Sequence, residues 1–108
     1  MTGKINRKEW SDAFKEKAKE VYWAFRKNDV EVSSHCLGRF LSRKNADGSP
    51  LTIDQITVQH KHTVKYRQAD GRDVRFYDGL ALVSNETTEE IITIIQRKKV
   101  KPEWTRIR

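Results

Sequence analysis

Three residues on one short stretch carry the first chemical signal: His35, Arg39 and Arg43 stand at i, i+4 and i+8. On an α-helix that spacing stacks them in one row. One titratable imidazole beside two permanently charged guanidiniums suits phosphate chemistry. Metal-free cleavage of RNA needs a group to take the 2′-OH proton, a cation to stabilise the pentavalent phosphorane, and an acid for the departing 5′-oxygen. His serves as base or acid near neutral pH, and Arg supplies charge without titrating. The plainer alternative is a basic helix face turned to water. Thr93 is the second signal, the only hydroxyl in Ile91-Ile92-Thr93-Ile94-Ile95. Thr is a good strand former, so it is either a tolerated β-branched residue or, if its face looks toward the helix of His35, a hydroxyl that reaches a bound phosphate.

A second group, His60, His62, Tyr66, Arg75 and Tyr77, lies on or just before the first two expected strands and supplies candidate RNA contacts. Arg97, Lys98 and Lys99 open a basic tail that would add affinity and not chemistry, because Lys and Arg are poor proton donors at neutral pH. Trp104 could anchor that tail on the sheet, the alternative being a frayed, solvated end. His60 and His62, without a nearby carboxylate or Cys, are a weak ligand pair, so no metal and no other cofactor is expected. The chain contains no P-loop, GxGxxG, HExxH or nucleophile elbow, and no carboxylate pair of the glycosidase kind can be picked out.

The elements that must position these residues can be read from spacing. Asn6 with Glu9 fits a capping box and Ile5 with Trp10 a hydrophobic staple, opening a helix over about residues 7–28. Its apolar stripe is Trp10, Phe14, Ala18, Val21, Tyr22 and Phe25. Trp23 falls off that stripe; the rarity of bare Trp favours a covered residue over an exposed contact. Val30 to Val32 is a short extended link. Ser33 or Ser34 caps a second helix to about Lys44, with Leu37, Phe40 and Leu41 on one side and His35, Arg39, Ser42 and Arg43 on the other. The loop Asn45–Pro50 follows. Leu51, Thr52, Gln55 and Ile56 repeat the staple and capping box, predicting a short helix over residues 52–59.

Then the period changes to two. Val64 and Tyr66, the turn Ala69-Asp70-Gly71, and Val74 and Phe76 spell a hairpin. Leu80–Val83 and Ile91–Ile95 are apolar on both faces, as central strands are. Asp78-Gly79 is a turn or a bulge within one bent strand. Helices first and strands second describe an α+β domain: two or three helices on one face of a four-stranded antiparallel meander.

At 108 residues one domain is all the length supports. With 22 Lys+Arg against 15 Asp+Glu, a net charge of +7 favours an anionic partner, and nucleic acid leads. A membrane surface is the weaker alternative, since the one long amphipathic segment mixes Lys with Glu. No apolar run is long enough to span a bilayer, and the first ten residues lack the apolar region of a signal peptide. A single Cys36 excludes an internal disulfide.

The run His35-Cys-Leu-Gly-Arg39-Phe-Leu-Ser-Arg43, then Leu51-Thr-Ile, then paired strands ending in Glu90-Ile-Ile-Thr93-Ile-Ile, resembles the HxxxRxxxR…T pattern of small bacterial toxin nucleases. These form the group that includes barnase, EndoU, the tRNA-cutting colicins and RelE. The resemblance covers about residues 33–97, with the helix at 6–29 and the tail at 98–108 as variable parts of one domain spanning 1–108. It implies a barnase- or RelE-like fold and metal-independent RNA cleavage, frequently of tRNA, leaving a 2′,3′-cyclic phosphate. His35, Arg39, Arg43 and Thr93 match its motif positions. It further implies a C-terminal toxin of a contact-dependent growth-inhibition, polymorphic or phage-borne protein, acting in the cytoplasm of a target bacterial cell and neutralised by an immunity protein. The basic surface makes that inhibitor acidic. Some relatives need a translation factor of the recipient, for which Trp23 is the candidate contact. A non-catalytic RNA-binding module using the same basic row is the rival reading. A DNA-binding or antitoxin-like protein is weaker, because no base-reading recognition helix is evident.

Overall fold

Ser11 caps the first described helix: its side chain accepts a hydrogen bond from the Phe14 N–H at 3.1 Å. The protein is described by a computed structural model covering residues 10–107. The helix α1, Asp12–Lys27, therefore starts later than the expected residue 7, while the Ile5, Asn6 and Glu9 cap lies outside the described residues. Trp10 precedes the helix and meets Phe14 edge-on at 4.8 Å. Ala18, Val21 and Phe25 form the buried stripe. The preference for a covered Trp23 is overturned: its side chain is 56 % exposed, touching Tyr22 edge-on at 5.2 Å. It sits off the stripe, and no other element of the described residues crosses that side of α1 to cover it.

Val32 bridges Ile91 in parallel sense, and Ser33 ties the next helix to the same strand. The Ser33 hydroxyl accepts from the Cys36 N–H at 3.0 Å and donates to the Ile92 carbonyl at 2.7 Å. One side chain thus caps α2, Ser34–Ser42, and fastens it to the sheet. The helix stops two residues short of Lys44. Arg43 turns extended, with ψ 162°, because Lys44 bridges Pro50 and the Asn45 amide holds the loop by donating to Ser49 Oγ and the Pro50 carbonyl. In α3, Ile53–His62, both reciprocal hydrogen bonds of the Thr52/Gln55 capping box form at 3.1 Å. α3 continues past Gln59 to His62, where the Thr63 hydroxyl donates to the Gln59 carbonyl and closes the end. His60 and His62 are therefore helix residues.

The strands are β1 Lys65–Arg67, β2 Asp73–Tyr77, β3 Leu80–Ser84, β4 Ile91–Gln96 and β5 Thr105–Arg106. All pair antiparallel in the order β4-β3-β2-β1-β5. The α+β class stands, but the sheet has five strands and not four, the fifth coming from the basic tail. Asp78-Gly79 is a turn: both residues have positive φ, 48° and 84°, which matches the twist of a tight two-residue hairpin. β4 is an edge strand and not a central one. It is buried because α2 packs on it and because the Glu31–Ser33 segment covers part of its outer backbone, Ile91 N–H donating to Glu31 O and Ser33 N–H to Ile91 O.

Two apolar layers sandwich the sheet. On the helix side Leu80, Leu82, Ile91 and Ile94 pack with Phe25, Cys36, Leu37, Phe40 and Ile56. On the other face Val74, Ala81 and Val83 are closed by Trp104, with Tyr66, Phe76, Ile95 and Val100 around it. Helix-side positions on β1 and β2 are charged: buried Asp73 pairs with Lys65 at 3.1 Å and Arg67 at 2.8 Å. No described helix is long and apolar enough to cross a membrane.

Candidate active site

His35 occupies the first turn of α2, where the backbone N–H groups and the helix dipole favour a negative ligand. One turn on, Arg39 Nε donates to His35 Nε2 at 3.3 Å. Accepting that bond requires Nε2 to be bare, so the ring is neutral with its proton on Nδ1. Nδ1 is buried and has no hydrogen-bond partner among the described residues. Burial, then the positive charges of Arg39 and Arg43, hold the imidazole below its usual pKa of 6.5. Arg43 has left the helical row by turning at the end of α2, yet its charge still acts on His35, and its buried Nε is likewise without a partner. The result is a neutral base framed by two cations at a helix N-terminus. Cys36 beside it is no nucleophile, since full burial pushes its thiol far up.

Thr93 is not brought to this row. The register shift between Val83 and Ser84 pairs Ser84 with Ile91 and Val83 with Thr93, leaving Ile92 as the extra residue. Thr93 therefore shares the face of Val83 and Ile95, whereas Leu82 and Ile94 look toward α2. Comparison with family models, curated proteins and solved structures finds no match. Among the described residues no group of three or more His, Cys, Asp or Glu side chains is placed to hold a metal ion.

The candidate RNA contacts are scattered by the fold. Tyr66 packs against Trp104, ring centroids 6.1 Å apart, and belongs to the second apolar layer. Arg97 lies over the Trp104 ring at 5.7 Å and donates to the Lys99 carbonyl, so it pins the tail. Lys98, Lys99, His62 and Tyr77 are exposed. Arg75 is only 4 % exposed, and its Nη1 donates to the Thr63 carbonyl. It meets His60 in a polar pocket of about 390 Å³ that also involves Arg26, Asp29, Glu31, Lys61, Thr88 and Glu89. The acidic members and Thr88 escaped sequence reasoning. They come from two loops, after α1 and before β4, which no local spacing brings together.

His60 is 8 % exposed, and burial together with Arg75 lowers its pKa, against a smaller opposite pull from Glu89. An imidazole with a depressed folded pKa stabilises the fold above its unfolded value of about 6.5, and that stability is lost as pH falls through the folded pKa. Denaturation of the His60→Gln variant should accordingly show a flatter decline below pH ~6.5 than the parent. Parallel curves would mean that His60 does not contribute to the acid limb.

Proposed function

We propose that the chain is a metal-independent endoribonuclease toxin domain, with tRNA as its leading substrate. The observation that carries this reading is the His35–Arg39 pair on the first turn of α2. The imidazole takes the 2′-OH proton on Nε2 as Arg39 turns from that nitrogen to the phosphate, where Arg39 and Arg43 stabilise the charge that builds on the phosphorane. The 2′-oxygen bonds to phosphorus, the bond from phosphorus to the 5′-oxygen breaks, and the departing oxygen takes a proton from water, leaving a 2′,3′-cyclic phosphate and a 5′-hydroxyl. Thr93 stands on the opposite face and is the weakest member of the proposed catalytic set.

A basic nuclease of this kind acts in the cytoplasm of a target bacterium, delivered as the C-terminal part of a secreted protein. An acidic immunity protein covering the α2 row would neutralise it, the charge of +7 favouring that encounter. The exposed Trp23 offers the aromatic contact for a translation factor of the recipient cell. Cleavage of total RNA by the pure chain should persist undiminished in EDTA. Activity that vanishes with chelator and returns with a divalent ion sinks the mechanism.

A further inference from the structure

We propose that the pocket between the ends of α1 and α3 and the loop before β4 is a nucleobase subsite, holding an uncharged base of the RNA strand. The proposal rests on the ribonuclease reading for the identity of the strand, and on the pocket itself for the chemistry of the ligand. Three cations line it, Arg26, Lys61 and Arg75, but so do three carboxylates, Asp29, Glu31 and Glu89. The cations are already engaged. Arg26 pairs with Glu31 at 3.1 Å, Lys61 Nζ donates to the Asn28 carbonyl at 2.7 Å, and Arg75 Nη1 donates to the Thr63 carbonyl.

A phosphate placed here would meet as much negative as positive charge. The α2 row is different, because both charges acting on His35 are positive. The two sites therefore divide the substrate, phosphate to the helix and an uncharged, two-sided hydrogen-bonding group to the pocket. A nucleobase is such a group, carrying donors and acceptors on one edge. The pocket's volume lies in the range of small-molecule sites.

Two independent features mark the pocket as built. His60 is more than nine-tenths buried, lines the cavity beside the Glu89 backbone, and its Nδ1 has no hydrogen-bond partner of good geometry among the described residues. Of the three non-glycine residues with positive φ among the described residues, two line this pocket: Asp29 and Glu89, each at 63°. That backbone is costly for an L residue with a side chain, and such strain gathers at binding and catalytic sites. The pocket is also joined to α2 directly. Glu31, which lines it, stands two residues before the Ser33 cap of α2.

The test is nuclear magnetic resonance on the whole chain, titrated separately with guanosine, adenosine, cytidine, uridine and inorganic phosphate. At least one nucleoside should saturably shift the His60 ring and Glu89 amide signals at concentrations where phosphate does not. Glu89→Gly removes the carboxylate while relieving the positive φ, so the fold is not endangered, and it should weaken that binding at least tenfold. His60→Gln, checked for folding by the same spectra, should weaken it as well. Signals at His60 and Glu89 that respond to no nucleoside, or respond equally to phosphate, overturn the subsite. If RNA is cut but no nucleoside binds, the subsite alone falls. If nucleosides bind as described but RNA is not cut, the pocket stands as a base site and the ribonuclease reading falls.

Discussion

His35→Ala should lower the saturated rate of RNA cleavage by about 10²–10⁴-fold while RNA affinity changes little, because a general base is lost and the two arginines remain. Turnover on labelled RNA and equilibrium binding, measured side by side, read the two quantities. A protein that only binds RNA has no turnover for the substitution to remove. Arg39→Ala gives a second, diagnostic readout. Arg39 is one of the charges holding His35 below its usual pKa, so its removal lets the imidazole rise. The acid limb of kcat/KM should then move to higher pH, and the rate should fall as the phosphorane loses a cation. A rate loss with an unmoved limb would separate Arg39 from the titration of the base.

Trp104→Ala should destabilise the fold by about 3–5 kcal/mol, the usual range for removing a large buried aromatic. Trp104 is 6 % exposed, closes the apolar layer over Val74, Ala81 and Val83, and lies beneath Arg97. Against a total stability of about 5–15 kcal/mol, that is a large share. Chemical denaturation checks it, and a loss under about 1 kcal/mol would mean the tail is only laid on the surface. Deleting the chain after Lys99 removes both Trp104 and β5. Such a truncation is a folding mutation, so the contribution of the tail's charges to RNA affinity must be measured at exposed Lys98 and Lys99 instead.

What could be read from the sequence was local. The Thr52/Gln55 box, a cap at Ser33 or Ser34, and a turn or bulge at Asp78-Gly79 each depend on residues within four positions of one another; the box forms, Ser33 is the cap and Asp78-Gly79 is a turn. The α2 row was legible for the same reason, up to the point where the loop at Asn45 pulls Arg43 off the helix. Long-range features were not legible. β5 is two residues long and has no period to detect; it exists because Trp104 finds an apolar face. The face of Thr93 is decided by a bulge at Ile92, and one extra residue reverses every alternation after it. Glu31 and Glu89 reach His60 only after the β4 edge has docked beside residues 31–33.

The Ser33 hydroxyl joins α2 to the Ile92 carbonyl across 59 positions of sequence. In kinetic terms, the helix that carries His35 is seated by a contact whose loop is among the costliest in the chain to close. A partly folded molecule holding only the helices and the first hairpin would have α2 without its seat, and Glu31 without its pocket. Catalytic competence should therefore appear late in refolding, in step with protection of the Ile91 and Ser33 amides from hydrogen exchange, and not with the earlier gain of helix.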